Sequence, residues 1–279
     1  MTLLDSLAPC SPGRWTHDHV TVERVPAGPL NVRRVDDRLH VTHSLTAEQI
    51  SERLVAEVTS SIQDAEFGQD EFELTMVGLV RSTVPGALDS WVTYYRNSLG
   101  ELLDGTADFA PIHDRAAELV RGSVLDLGSC FGFLPLRLAA AGTAGTAGTA
   151  GTAVTAVTAT DILPGTMRLL DAVAPRLGLH VDTLVCDAAN VPVPDGSADT
   201  VTAIHLLEHV DDALGATILA EALRIARERV VVAVPFEDEA TVCHGHVRTF
   251  DLPALEELGR STGRPFEVFE HHGGWLVIG

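Results

Sequence analysis

The stretch VLDLGSCFGFLP, residues 124–135, decides the fold. The apolar residues flanking Asp126 read as a buried strand, the glycines at 128 and 132 open a tight turn, and the apolar run that follows starts a helix. Such a turn brings backbone N–H groups close to a ligand at the positive end of a helix. Two ligand classes use it, and spacing separates them. The dinucleotide fingerprint needs glycines in a G-x-G-x-x-G pattern. Counted from Gly128, this chain offers Gly128, Cys130 and Phe133, and so fails at two of three positions. A nicotinamide-dependent oxidoreductase is therefore the weaker alternative.

Working outward, SVLDLG (123–128), AVTATD (156–161), HVDTLVCD (180–187), ADTVTAIH (198–205) and RVVVAV (229–234) are strand candidates separated by helical stretches. That alternation predicts a doubly wound, mostly parallel α/β sheet with helices on both faces. PFEVFE (265–270) and WLVIG (275–279) flank His271, His272, Gly273 and Gly274, which predicts a closing hairpin, seven strands in all and an antiparallel last strand. Residues 142–153 are four copies of Gly-Thr-Ala. A period of three is too short for a solenoid unit, so the repeat reads as a loop insertion, which costs little in closure entropy.

Upstream, residues 1–108 read as an α+β extension. Short strands are expected at 19–25, 30–35 and 39–45. A capping box of Thr46 and Gln49 precedes Ile50, Leu54 and Val58 at helical spacing. Two further helices are expected over about 72–84 and 88–103, the last carrying Trp91, Tyr94 and Tyr95, an aromatic stripe that reads as core.

Composition limits the chemistry. The 279 residues carry 19 basic groups against 39 acidic ones, for a net charge of -20, and every basic group is arginine. Without lysine there is no Schiff base and no P-loop contact to a phosphate. The acidic balance opposes nucleic-acid binding, which needs a basic surface to release counterions. The N-terminal residues lack a basic, apolar leader, no stretch approaches a membrane span, and the four cysteines form no close pair. A cytoplasmic protein with reduced thiols is expected.

The opening segment resembles motif I, D/E-x-G-x-G-x-G, of the class I S-adenosylmethionine-dependent methyltransferases. Asp126, Gly128 and Gly132 match, and Cys130 replaces the middle glycine. Later segments follow the family order. Asp161 ends the second strand, where a carboxylate can accept both ribose hydroxyl protons. It lies further along than the usual ~20 residues, mostly because of the repeat. Cys186, Asp187 and Ala188 end the third strand, where the family places an acidic residue near the adenine amino group. VPVPDGSADTV (191–201) is similar to the family's PF-x-D-x-S-F-D-x-V, and IHLLEHV (204–210) to its segment ending E-H-V/L. The resemblance implies a Rossmann-like fold and S-adenosylmethionine as cofactor. It would be held by Asp126, Gly128, Ser129, Cys130, Gly132, Asp161, Ile162, Asp187, Ala188 and His205, all in residues 109–279, with residues 1–108 covering the acceptor pocket.

A hydroxyl acceptor must also lose a proton, which a positioned base can assist. His205 and His209 follow the fourth strand, and His244 and His246 the fifth, at the carboxyl ends where such sheets bind ligands. His209 or His246 is the expected general base, with Glu208 completing the catalytic set, although either imidazole could instead hold its loop. Some hydroxyl methyltransferases of this fold carry E-x-x-E-H here and bind Mg²⁺. This chain has His205 in place of the first glutamate, two imidazoles would favour a softer ion, and no metal is expected. Arg248 could orient acceptor or cofactor, or pair with Glu237 or Glu239. The whole chain is similar to the mycofactocin oligosaccharide methyltransferases of actinobacteria, which implies O-methylation of a glucose on a glycan attached to a peptide-derived redox cofactor. The expected partner is a small-molecule or glycan acceptor, a quinone or phenol being the alternative, with no nucleic acid and no membrane.

Overall fold

The computed structural model describes residues 5–62, 68–143 and 154–279. From residue 144 onward the Gly-Thr-Ala repeat lies outside them. The chain forms two compact units, Met1–Asp108 with Val242–Gly245, and Phe109–Thr241 with His246–Gly279.

The first unit holds strands β1 (Arg14–His17), β2 (Val20–Arg24), β3 (Asn31–Val35) and β4 (Arg38–His43) in the order β1-β2-β4-β3. The β2–β4 pair is parallel and the other two pairs are antiparallel. Helices α1 (Leu54–Ile62), α2 (Gln69–Thr83) and α3 (Ala87–Asp104) follow. Gly78 lets α2 close onto Val22 and Trp15 of the sheet. Trp91, Tyr94 and Tyr95 are buried and meet one another edge to face, with ring centroids 5.7–6.5 Å apart, so the stripe is core. The capping box is only half formed. The Gln49 side chain accepts from Thr46 N–H at 2.9 Å, but Gln49 N–H bonds the Thr46 carbonyl, and turns delay α1 to Leu54. Strand β1 was not anticipated, because a four-residue strand carries too short a pattern to read.

The second unit opens with α4 (Ala110–Leu119), also unanticipated, whose first turn holds Pro111. Then come β5 (Gly122–Asp126), α5 (Phe133–Thr143), β6 (Val154–Asp161), α6 (Pro164–Val173), β7 (Asp182–Val185), β8 (Ala198–Ile204), α7 (Asp212–Ile225), β9 (Ala226–Val234), α8 (Leu252–Ser261), β10 (Phe266–Glu270) and β11 (Gly274–Ile278). The strands assemble as β10-β11-β9-β8-β5-β6-β7. Strand β11 runs antiparallel to both neighbours, and the other pairs are parallel. This is the seven-stranded, Rossmann-like α/β sheet that the sequence predicts, with an extra N-terminal sheet elsewhere in the chain.

Burial explains why these segments are strands. Val230 to Val234 of β9 are all buried, as a strand covered on both faces requires. Polar residues inside the sheet are paired: Thr200 Oγ1 donates to the Arg121 carbonyl at 2.9 Å, and Thr202 Oγ1 to Asp126. Helices α7 and α8 are capped by Asp211 and Asp251, which accept from Leu214 and Ala254 N–H. Connections leave β5 towards β6 and leave β8 towards β9. The β5–β8 boundary is therefore a topological switch point, where the carboxyl ends of the strands diverge to form a ligand crevice. Among the described residues no helix is long and apolar enough to cross a membrane.

Candidate active site

Three carboxyl ends meet at the crevice. At the end of β5, Asp126 is buried, and burial is the main reason its carboxyl is pushed up to about 6, against the pull of the Thr202 and Ser129 hydrogen bonds. The loop after it alternates through the left-handed region, with φ of 66° at Gly128, 50° at Cys130 and 74° at Gly132. Space as well as φ demands glycine at its two ends. A Cβ on Gly128 would lie 2.6 Å from Leu206 Cδ1, and one on Gly132 2.5 Å from Leu170 Cδ2. Ser129 fastens the loop to β6: its N–H donates to the Thr160 carbonyl at 2.8 Å, and its hydroxyl accepts from Thr160 N–H at 3.2 Å.

At the end of β6, Asp161 receives the loop. Its Oδ2 accepts from Cys130 N–H at 2.9 Å and its Oδ1 from Leu163 N–H at 2.8 Å. Burial holds this carboxyl above its ordinary value, although those hydrogen bonds oppose the rise. A carboxylate has about four lone-pair sites, so it could accept further donors such as ribose hydroxyls. Beside it Ile162 is 65% exposed, an apolar surface at a strand end. Asp187, after β7, is exposed and turns its own loop by accepting from Ala189 N–H at 2.9 Å, with Ala188 half-buried between them. The glycine-lined loop, the prepositioned Asp161 and the apolar Ile162 face fit an adenosine-bearing cofactor.

After β8, His205 takes a φ of 54° and donates its N–H to the Ala233 carbonyl, with its ring edge-on to Phe109 at 5.5 Å. Its Nδ1 lies 3.2 Å from Glu208 Oε1. Glu208 is fully buried, yet neither of its oxygens accepts a hydrogen bond. Candidate ligand atoms of Glu208, His209 and His246 all lie within 4.8 Å of one another, and the two imidazole rings meet edge to face at 4.9 Å. Val247 N–H donates to the Glu208 carbonyl at 2.9 Å, which fastens the segment after β9 to the one after β8. Leu206 joins this cluster to the cofactor loop by packing against Gly128.

Sequence reasoning assigned Glu237 otherwise and missed His113. Glu237 Oε2 is 2.7 Å from His246 Nδ1, and its Oε1 accepts from the Thr241 hydroxyl at 2.6 Å. Although burial pushes the Glu237 carboxyl up, the bonds from Thr241 and His246 hold it below its ordinary value. Its place just past a strand end was the available signal. His113, on α4, is buried, and desolvation, together with Arg137 and His205, lowers its pKa to about 3, so it is neutral. No motif marked it.

Two expectations are corrected. Arg248 pairs with neither Glu237 nor Glu239. It donates to the Leu207 carbonyl at 3.0 Å, forms an ion pair with Asp212 and lies over the Phe250 ring at 4.4 Å. His244 does not join the other three histidines. It belongs to the first unit, where its Nε2 is 3.1 Å from Thr59 Oγ1 and its ring lies edge-on to Phe72. The acidic residues of the 191–201 segment are structural: Asp195 pairs with Arg224, and Asp199 ties Ser123 of β5 to Arg227 of β9.

Comparison with known proteins agrees with this geometry. Residues 125–234 match a family model described as "Methyltransferase domain". No curated protein sequence matches the chain. Similar solved structures include an S-adenosylmethionine-dependent methyltransferase from Aquifex aeolicus, at 15% identity over 65% of this chain and 96% of that one, with a TM-score of 0.48. A putative methyltransferase of the same dependence from Methanococcus maripaludis overlaps at 15% identity over 66% and 92% of the two chains, with a TM-score of 0.47. The YcgJ protein of Bacillus subtilis overlaps at 18% identity over 57% and 69%, with a TM-score of 0.45. Residues 125–234, which hold most of β5 to β9, match a methyltransferase domain. The enzyme it defines is an S-adenosylmethionine-dependent methyltransferase.

Proposed function

We propose that this enzyme methylates a hydroxyl group of a small molecule or glycan, a glucose of the mycofactocin oligosaccharide being the acceptor that the sequence resemblance implies. The observation that carries the reading is the convergence of Glu208, His209 and His246 beside the cofactor loop, with a carboxylate that is buried and accepts no hydrogen bond. S-adenosylmethionine, when bound, would supply a sulfonium methyl carbon for in-line attack by an acceptor oxygen, with S-adenosylhomocysteine as the leaving group. The chain's own residues position the reactants. Asp161 and the loop from Gly128 to Gly132 fix the cofactor, and positioning of this kind supplies a large part of the rate in a displacement. Loss of the acceptor proton, which a hydroxyl acceptor requires, is assigned to the Glu208–His209–His246 centre. A net charge of -20 favours an acceptor without phosphates.

The test is methyl transfer from isotopically labelled S-adenosylmethionine to α-glucans, simple quinols and RNA, read by mass spectrometry. Label on a glucan oxygen is the expected result. Label on a quinol alone moves the acceptor to the phenol class, and label on RNA alone overturns the reading.

A further inference from the structure

We propose that Glu208, His209 and His246 bind a divalent first-row cation, with Zn²⁺, Mn²⁺ or Co²⁺ preferred over Mg²⁺, and leave a coordination position open. The cation's binding stands on geometry alone. Its role, making the acceptor hydroxyl acidic on that open position, rests on the hydroxyl reading above.

The first argument is distance. Ligand atoms about 2 Å from a common ion lie no more than about 4 Å apart. With all three candidates within 4.8 Å, side-chain adjustments of under about 1 Å bring them to coordinating positions. The second is the carboxylate. A buried charge is tolerated when it is paired, hydrogen-bonded or bound to a metal. Glu208 is fully buried and neither oxygen accepts a hydrogen bond, although His205 Nδ1 approaches to 3.2 Å without the alignment of one.

The third argument is the tautomer. A metal-bound imidazole commonly gives its other ring N–H to a carboxylate, which fixes its orientation and raises its basicity. Glu237 stands 2.7 Å from His246 Nδ1, so Nδ1–H donates to it and Nε2 carries the lone pair. Thr241 in turn holds Glu237 in place. Finally, two imidazoles and one carboxylate suit an intermediate cation better than Mg²⁺, and three protein ligands are what a metal site with an open position provides. In this arrangement His209 and His246 act as ligands, not as the proton acceptors their sequence positions suggest. The hydroxyl proton then leaves to solvent water from an oxygen held on the cation.

The experiment uses untagged full-length protein stripped with a chelator, titrated with Co²⁺ and followed by visible absorption and calorimetry, with S-adenosylmethionine binding measured in parallel. One Co²⁺ per chain is expected, displaced by equimolar Zn²⁺ and not by Mg²⁺. His209→Ala or His246→Ala should remove the visible band, and Glu237→Gln should weaken Co²⁺ binding about 10–100-fold, as loss of an outer-shell partner does. Glu208→Gln should abolish binding. If that variant fails to fold, the histidine and Glu237 variants decide. S-adenosylmethionine affinity should be unchanged in all folded variants. Failure of the wild-type protein to bind Co²⁺ stoichiometrically while it binds S-adenosylmethionine overturns the proposal, as does binding that none of the variants weakens. Hydroxyl methylation that survives chelation removes the cation and keeps the hydroxyl reading. Site-specific Co²⁺ binding without methylation of any hydroxyl does the reverse.

Discussion

Asp161 and Glu208 are both buried carboxylates just past or at the carboxyl end of a parallel strand, β6 in one case and β8 in the other. Their surroundings differ completely. Both oxygens of Asp161 are engaged by backbone N–H groups, from Cys130 and Leu163, whereas those of Glu208 accept none. The first carboxylate is already part of the backbone network, and its remaining lone pairs are aimed by that network. The second accepts no hydrogen bond, and its near neighbour is His205 Nδ1, 3.2 Å from Oε1. The Asp161 carboxylate is therefore oriented by the fold itself, whereas that of Glu208 is left open to the cation proposed above.

The comparison breaks most easily at Asp161. Asp161→Ala leaves two N–H groups without acceptors, each worth about 1–3 kcal/mol when buried, so the variant should lose roughly 2–4 kcal/mol of stability and most of its S-adenosylmethionine affinity. Glu208→Gln strands no hydrogen-bond donor, so in metal-free protein its stability should stay within about 1 kcal/mol of the parent. Urea unfolding of the two variants checks this directly. Equal losses would show that Glu208 is as integrated into the fold as Asp161.

Asp126 sharpens the same contrast through pH. Its carboxyl moves from 3.8 in the unfolded chain to about 6 in the folded one, chiefly by burial. The native state therefore holds a proton that the unfolded chain has released, and stability falls as pH rises from about 4 to about 6, staying lower above. A shift of this size corresponds to about 2–3 kcal/mol. Asp126→Asn retains an oxygen to accept from Thr202 and cannot ionise, so it should be more stable than the parent by that order at pH 8 and nearly equal at pH 3. A gap of the same size at both pH values would assign the effect to packing rather than to charge.

Much of this was legible in the sequence because parallel strands buried on both faces are continuous apolar runs, and glycines at φ near 70° leave a fixed spacing. VLDLGSCFGFLP gave strand, turn and helix in order, and Glu208, His209 and His246 were marked by lying past strand ends. What stayed hidden was pairing across distance. Nothing local says that Glu237 turns to His246 while Arg248, two residues on, turns to Asp212. His244 and His246 are two apart in sequence, yet one packs with Thr59 and Phe72 in the first unit and the other with His209 in the second. Thr46 and Gln49 satisfied a local helix-start rule that the following turns overrode. Local rules found the groups, and tertiary packing chose their partners.

The smallest expected effect lies at Cys130, where the chain departs from the glycine of motif I. Its φ of 50° disfavours a side chain with a Cβ, while its contribution to Asp161 is made by the backbone N–H alone. Cys130→Gly keeps that donor and relieves the left-handed strain, but it also gives the unfolded chain more freedom. The two nearly cancel, leaving a net stabilisation below about 1 kcal/mol. S-adenosylmethionine affinity should stay within about twofold, because the hydrogen bond that aims Asp161 does not involve the thiol. Calorimetric titration of the variant measures both quantities. A loss of affinity beyond tenfold would mean that the thiol itself touches the cofactor, and that the aim of Asp161 is set by a side chain as well as by the backbone.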